Sequence, residues 1–176
     1  MPTPQRTSHT AIITAAREIL EADGPAGLTM QAVAAGVGVR APSLYKHVRD
    51  RDALLSAVTE AAIDELGERL ASADADLRAL AAVYRAHAHA QPEAFRLMFT
   101  ASARLDALQR AAAPVIDAAR GLVGDTHALD AARLFTAWAT GFLNMELAGA
   151  FRLGGGVDAA FTYGLERLIR GLEVES

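Results

Sequence analysis

Residues 27–55 read Gly27-Leu-Thr-Met-Gln-Ala-Val-Ala-Ala-Gly-Val-Gly-Val-Arg-Ala-Pro-Ser-Leu-Tyr-Lys-His-Val-Arg-Asp-Arg-Asp-Ala-Leu-Leu55. Two short helical segments are predicted in this stretch, at about 30–36 and about 42–48, on either side of a glycine-containing turn. Thr29 is placed to cap the first helix, and Pro42 suits the first turn of the second. The small residues of the turn let the two helices approach closely. The stretch therefore predicts a helix-turn-helix.

The second helix of this motif has two different faces. Leu44 and Val48 lie one turn apart and are expected to point inward. The opposite surface carries polar and cationic side chains, namely Ser43, Lys46 and His47, with Tyr45 to one side. A helix this short is not stable alone, so its role must lie in the side chains that it presents.

Longer helices are predicted on both sides of the motif. In residues 8–23, apolar residues recur at helical spacing, and Gly24 is placed to end that helix. A further helix is expected from Asp50 or Asp52 to about Leu70, since acidic residues suit a helix N-terminus. The N-terminal part of the chain is thus predicted to be a small all-helical unit.

The positive charge is concentrated in the same motif. The whole chain has a net charge of -4, and residues 1–55 hold six basic and five acidic side chains. Residues 40–51, in contrast, hold four basic side chains and one acidic one. Such a cluster is the electrostatic footprint of nucleic-acid binding, although short charge clusters are also common on ordinary solvated surfaces.

The quoted stretch resembles the DNA-binding region of the tetracycline-repressor family, and its most specific part is Ala41-Pro-Ser-Leu-Tyr-Lys-His-Val48. The resemblance covers about residues 8–58. It implies a dimeric transcriptional regulator of repressor type, whose all-α fold has a three-helix DNA-binding head and a larger helical ligand-binding and dimerisation domain. The expected domains are 1–54 and 55–176, with about nine helices in total.

The resemblance also assigns roles to single residues. It implies phosphate contacts from Thr29, Tyr45 and Arg51. Base readout then falls to the polar side chains of the second helix, with apolar contact to a thymine methyl from its start. The readers are Arg40, Ser43, Lys46 and His47, and the apolar contacts come from Ala41 and Pro42. For Arg40 a phosphate contact is an equally open alternative, and for His47 it is the slightly preferred one.

Five further helices are predicted, at about 75–90, 92–99, 102–121, 128–153 and 157–172. The fourth of these is apolar almost all round, so one side is expected to face its own domain and the other a second copy of the chain. Its apolar residues are Leu134, Ala137, Trp138, Gly141, Phe142, Met145, Leu147, Ala148 and Phe151. The last helix would complete a four-helix dimer contact through Val157, Phe161, Leu165, Leu168 and Leu172. The alternative is a helix buried entirely within one chain.

An apolar effector pocket is expected in the second domain, because small-molecule sites are mostly apolar. The candidate residues are Tyr84, His87, Phe95, Met98, Phe99, Trp138, Phe142 and Met145, each of which also suits an ordinary core position. The run Trp138-Ala-Thr-Gly141 is similar to a family subgroup with Trp-x-His-Gly, although Thr140 replaces the histidine. Glu146 could bind a ligand, but an ion pair with Arg152 or Arg133 is the preferred interpretation.

Other functional classes find little support. The chain has no cysteine, nucleophile elbow, glycine-rich phosphate loop or His-Glu-x-x-His zinc helix, so no enzyme activity, cofactor or metal is expected. The polar start and the interrupted apolar runs predict a cytoplasmic protein without membrane contact. The remaining alternative is a non-enzymatic helical dimer that acts as a protein-interaction adaptor without DNA binding.

Overall fold

A computed structural model describes residues 8–99 and 105–173. This part of the chain forms eight α-helices and no strand, which confirms the predicted all-α class. The helices are α1 (His9–Gly27), α2 (Met30–Gly36), α3 (Ala41–Leu44), α4 (Arg51–Ala71), α5 (Leu77–Ala90), α6 (Pro92–Leu97), α7 (Leu105–Leu147) and α8 (Val157–Glu173). No helix among these residues is both long enough and apolar enough to cross a membrane.

The long helix α7 accounts for the difference between eight helices and the predicted nine. The segments predicted at 102–121 and 128–153 are joined within α7, and the backbone leaves the helical conformation only at Gly124, with φ 73° and ψ 176°. Glycine adopts this positive φ without the steric penalty of a side chain. The sequence predicted a helix on each side of the break, but it left residues 122–127 outside both helices, whereas only Gly124 departs from the helical conformation.

The predicted end of α7 at residue 153 is wrong, because the helix ends at Leu147. Gly149, with φ 61°, turns the chain there. Its N–H donates to the carbonyl of Glu146 at 2.9 Å, and the N–H of Ala150 donates to the carbonyl of Met145 at 2.9 Å. This pair of bonds is a Schellman motif, which satisfies the last free carbonyls of a helix.

Contacts between residues divide the chain into two compact units. The first contains residues 1–63 and 91–104, so α6 packs with the N-terminal helices although it lies far from them in sequence. Its core consists of buried apolar side chains from α1 to α4 and from α6, among them Ile12, Ala16, Leu20, Leu28, Val33, Leu44, Val48, Leu54, Val58 and Ala94.

The second unit contains residues 64–90 and 105–176. Helices α5 and α8 both pack against α7 and against each other. The core of this unit includes Leu77, Leu80, Phe135, Leu143, Phe161, Leu165 and Ile169. Helix α4 contributes its first part to one unit and its last part to the other, so the boundary between units falls within a helix, after Ile63.

Candidate nucleic-acid interface

Local interactions fix the start and end of α2. The hydroxyl oxygen of Thr29 accepts a hydrogen bond from the N–H of Ala32 at 3.1 Å, as an N-cap side chain does. At the other end, Gly38 has φ 71° and its N–H donates to the carbonyl of Ala35, while the N–H of Val39 donates to the carbonyl of Ala34. This second Schellman motif makes the turn that leads to α3.

Helix α3 is shorter than the predicted 42–48, since it ends at Leu44. The chain nevertheless continues as a helical turn, because the N–H groups of His47 and Val48 donate to the carbonyl of Leu44 at 2.8 and 2.9 Å. Leu44 and Val48 are both buried, as predicted. Their burial anchors the turn on α1 and α4 side chains of the same core and turns the remaining side chains outward.

The predicted DNA-contact residues form a continuous surface on and around α3. Arg40, Pro42, Lys46 and His47 are exposed, and Tyr45 exposes 56% of its surface although it is aromatic. Ala41 and Ser43 are half-buried. An exposed tyrosine among cationic side chains is well placed to meet a polar, anionic partner, because its ring and its hydroxyl can both contact a nucleic-acid backbone.

The start of α4 adds two charged groups to one edge of this surface. Asp50 accepts from the N–H of Ala53 at 2.8 Å and from Nε of Arg49 at 2.7 Å. The backbone N–H of Ala53, followed by the Arg49 side chain, lowers the pKa of Asp50. Arg49 is exposed, and sequence reasoning did not name it as a candidate contact although it belongs to the basic cluster.

Arg51 and Thr29 differ from the other candidates because their side chains already make hydrogen bonds to the backbone. Thr29 is exposed beside the α1–α2 turn and uses its oxygen as the cap of α2. Arg51 is exposed, yet its Nε donates to the carbonyl of Leu28 at 2.8 Å and its Nη2 donates to the carbonyl of Pro25. Its guanidinium therefore already holds two backbone acceptors in the free chain.

The eight predicted effector residues are distributed over both units. Phe95, Met98 and Phe99 belong to the first unit, where the rings of Phe95 and Phe99 meet edge to face at 5.4 Å. The others belong to the second unit, where Tyr84 and His87 are buried on α5, Trp138 and Phe142 are half-buried, and Met145 is 48% exposed. Trp138 and Phe142 contact each other and pack against Phe161. An effector pocket made of these residues remains a prediction.

The second unit has a cleft of about 630 Å³, lined by both charged and apolar side chains, that none of the eight residues lines. One of its lining residues is Arg85, which donates to Glu146 at 2.5 and 3.1 Å, donates to Asp158 at 2.6 Å and lies 4.8 Å from the centre of the Phe161 ring. Glu146 therefore pairs with Arg85, and with His89 at 3.3 Å, rather than with Arg152 or Arg133. Its true partner lies 61 residues away in sequence, so spacing along the helix could not reveal it.

Several polar contacts that sequence reasoning missed connect elements within each unit. In the second unit, the hydroxyl groups of Tyr84 and Thr140 lie 2.8 Å apart, and burial raises the pKa of Tyr84 to about 12. In the first unit, the carboxylate of Glu21 accepts from two N–H groups at the start of α6, and Arg17 donates to Gln91 at 2.5 Å. No local sequence pattern predicts these pairs, because their partners lie on distant segments.

The predicted dimer residues fall into two groups. Leu134, Ala137, Gly141 and Met145 form an exposed stripe along α7, with Ala148 just beyond its end. On α8, by contrast, Phe161 and Leu165 are buried against their own chain, so the prediction that they face a partner is wrong. The exposed face of α8 carries Ala160, Tyr163, Arg167 and Arg170 instead. The amphipathic period of α8 was evident in the sequence, but its apolar face serves the core.

Comparisons with known proteins identify the family. Residues 12–58 match the family described as bacterial regulatory proteins, tetR family, and residues 77–168 match a tetracyclin repressor-like C-terminal domain. An uncharacterized HTH-type transcriptional regulator of Mycobacterium tuberculosis is 34% identical over 190 positions, which cover 97% of this chain and 84% of the relative.

Solved structures agree with this assignment. A protein of unknown function from Rhodococcus sp. RHA1 is 26% identical, with a TM-score of 0.79, and the match covers 98% of this chain and 100% of that one. A TetR variant from Acinetobacter baumannii AYE, crystallised with minocycline, is 27% identical, with a TM-score of 0.73 and coverage of 97% and 99%. From its helix-turn-helix, its two family matches and these relatives, the chain belongs to the TetR family of transcriptional regulators.

Proposed function

We propose that this regulator is a homodimeric repressor that binds a pseudo-palindromic operator and leaves it when a small molecule binds the second unit. Each protomer places the α3 turn in a major groove, and the two-fold symmetry of the dimer sets the spacing of the half-sites. The regulator acts in the cytoplasm, where the operator is.

The proposal rests on the two opposite faces of the α3 turn, one buried and one exposed. Leu44 and Val48 are buried, so the turn is held rigidly, while the cationic side chains around them are exposed. In the proposed complex Arg40 and Lys46 read guanine edges, and Ser43 and His47 contact bases or adjacent phosphates. Ala41 and Pro42 meet thymine methyl groups, and Tyr45 and the Thr29 hydroxyl donate to phosphates.

Selection of bound fragments from host genomic DNA tests operator binding directly. A single recovered motif with two-fold symmetry is the expected result, and the genes beside it indicate the effector class. On that fragment, Lys46→Gln should weaken binding and relax the base preference at one position of each half-site, because Lys46 is placed to read a guanine. Arg120→Gln removes the same charge from an exposed position on α7 and should leave both the affinity and the base preference unchanged.

The exposed α7 stripe supports the dimer. An uncovered apolar row of this length on a folded unit is typical of an association surface, and Gly141 offers room, since an added Cβ there meets no atom within 4 Å. Met145→Glu should produce monomers in sedimentation equilibrium and lower operator affinity. Leu108→Glu, also at an exposed apolar position but outside the stripe, should stay dimeric.

The effector part of the proposal has its support in the family. The Acinetobacter baumannii relative was crystallised with minocycline, and Trp138 packs against Phe142 of α7 and Phe161 of α8 in this chain. An effector must favour one conformation to change operator affinity, and a coupling of about 1–3 kcal/mol would weaken binding about 5–150-fold. The products of the genes beside the operator make compounds that can be tested as effectors. Titrating the operator complex with these compounds shows whether any of them weakens operator binding.

The alternative function is a helical adaptor that dimerises without touching DNA. It predicts that genomic selection recovers no motif and that Lys46→Gln and Arg120→Gln have equal effects on any residual DNA association. A wild-type chain that remains dimeric but shows this behaviour would overturn the proposed function in favour of the adaptor.

A further inference from the structure

Arg51 joins the start of α4 to the end of α1. It is the first residue of α4, and its Nε donates to the carbonyl of Leu28 at 2.8 Å while its Nη2 donates to the carbonyl of Pro25. These acceptors lie 23 and 26 residues earlier in the sequence. One edge of the guanidinium is thus occupied by backbone carbonyls that no helix satisfies.

The two carbonyls belong to the turn that sets the position of Thr29. Leu28 is fully buried, ends α1 and directly precedes Thr29, which caps α2 through the N–H of Ala32. The turn itself begins at Gly24, where the chain leaves the helical conformation with φ 69°. Arg51 therefore holds the peptide unit next to a residue that the proposed function assigns to the DNA surface.

The shape of the arginine side chain suits this role better than its charge alone does. A guanidinium presents Nε–H and Nη–H in one plane and in fixed directions, so it can hold two acceptors at once. An ammonium group on a flexible stem carries the same charge but cannot reproduce this planar fork. Bringing the same edge to a phosphate would release both carbonyls from their charge-assisted bonds.

We infer that Arg51 is a positioning residue of the DNA-binding head, which fixes the α1–α2 turn on α4 through Nε and Nη2 and thereby sets the place of the Thr29 hydroxyl. The inference rests on the proposed DNA binding and adds a positioning role to the one that the family resemblance gives to this residue. It makes arginine, rather than any basic residue, the requirement at position 51.

Two substitutions separate charge from geometry. Arg51→Lys keeps the charge and loses the fork, whereas Arg51→Gln loses both. On the selected operator fragment, both variants should bind about tenfold more weakly than the wild type, and Arg51→Lys should keep the wild-type salt slope because it keeps the charge. Lys46→Gln serves as the control for a direct base contact, because it should change the base preference that the Arg51 variants leave as in the wild type. Wild-type affinity for Arg51→Lys would overturn the inference, whatever the affinity of Arg51→Gln.

A double-mutant cycle tests whether Arg51 acts through Thr29 rather than through general stability. If it does, the combined loss of affinity in Arg51→Lys with Thr29→Ala is smaller than the product of the two single losses. Independent losses that multiply would contradict a positioning role.

Hydrogen exchange on the dimer without DNA separates this inference from the proposed function. Arg51→Lys should speed exchange of the Ala32 and Val33 amides at least several-fold, while amides in the middle of α5 stay as in the wild type. Unchanged exchange at Ala32 and Val33 would overturn the inference even if the operator is bound. A wild-type chain that selects no DNA motif would instead overturn the proposed function, whatever the exchange result.

Discussion

Oε1 of Glu21, on α1, accepts a hydrogen bond from the backbone N–H of Ala94, on α6, at 2.9 Å. Its other oxygen accepts from the N–H of Glu93 at 3.1 Å. The first amides of a helix have no partner within the helix, and α6 has no side-chain cap of its own at Gln91. A carboxylate from a different helix thus caps α6, which ties this segment to the N-terminal unit.

Replacing Glu21 should weaken the first unit measurably. Glu21→Ala leaves two amides of α6 without their acceptor, and we expect the free energy of unfolding to fall by about 1–2 kcal/mol. Urea denaturation followed by circular dichroism measures this loss. Glu18→Ala, at an exposed position one turn earlier on α1, should change the free energy of unfolding by no more than about 0.5 kcal/mol. Equal effects of the two variants would contradict the capping role.

The close approach of α8 to Trp138 depends on Gly164. An added Cβ at Gly164 would lie 2.7 Å from Cζ2 of Trp138, and that ring is held by Phe142 and Phe161. Gly164→Ala should therefore destabilise the second unit by about 1–3 kcal/mol despite the better helix propensity of alanine. Thermal unfolding of Gly121→Ala provides the control, because an added Cβ there meets nothing within 4 Å. That variant should be as stable as the wild type or up to about 1 kcal/mol more stable.

The burial of Tyr84 should make stability sensitive to alkaline pH. Burial raises the pKa of Tyr84 to about 12 from the ordinary 10. The unfolded chain then loses the proton first, so the stabilisation is complete below pH 10 and is lost as the pH rises toward 12.

Tyr84→Phe is the variant that checks this titration. Its free energy of unfolding at pH 8 should be about 1 kcal/mol lower than that of the wild type, because the Thr140 hydroxyl loses a partner. In difference absorbance, the variant should lack the tyrosine step near pH 12. An identical loss of stability between pH 10 and 12 in the wild type and the variant would refute the assignment.

The ion pair of Arg85 and Glu146 should stabilise the fold at neutral pH and lose this contribution in acid. The hydrogen bonds from Arg85 lower the pKa of Glu146, so its contribution is present above the ordinary glutamate pKa of 4.5 and is lost as the pH falls through the lowered pKa. Glu146→Gln should lower the free energy of unfolding by about 1–3 kcal/mol at pH 7, with a smaller difference from the wild type below pH 4.5.

The second acidic partner of Arg85 offers an internal comparison. The Asp158 side chain is 90% exposed, and exposed ion pairs contribute little because water screens them. Asp158→Asn should remain within about 0.5 kcal/mol of the wild type at every pH, measured by the same denaturation series. A loss as large as that of Glu146→Gln would show that exposure does not decide the strength of this network.

Local signals predicted well wherever a structure depends on neighbours in sequence. The bounds of α2 agree with the structure because Thr29 and the glycines after it act within one turn, and the start of α4 follows from Asp50 in the same way. The end of α7 was missed because Gly149 follows apolar residues that continue a helical pattern. The helix nevertheless stops where the Schellman bonds form.

The sequence by itself determined the helical class, the helix-turn-helix and the outward placement of Lys46 and His47, because capping, periodicity and charge act over a few residues. Only the tertiary structure decided that α6 packs with the N-terminal helices, that Glu146 pairs with Arg85 and that Arg51 binds the α1–α2 turn. Each of these contacts joins residues more than 20 positions apart. Their choice of partner depends on which faces the packed helices bring together in space.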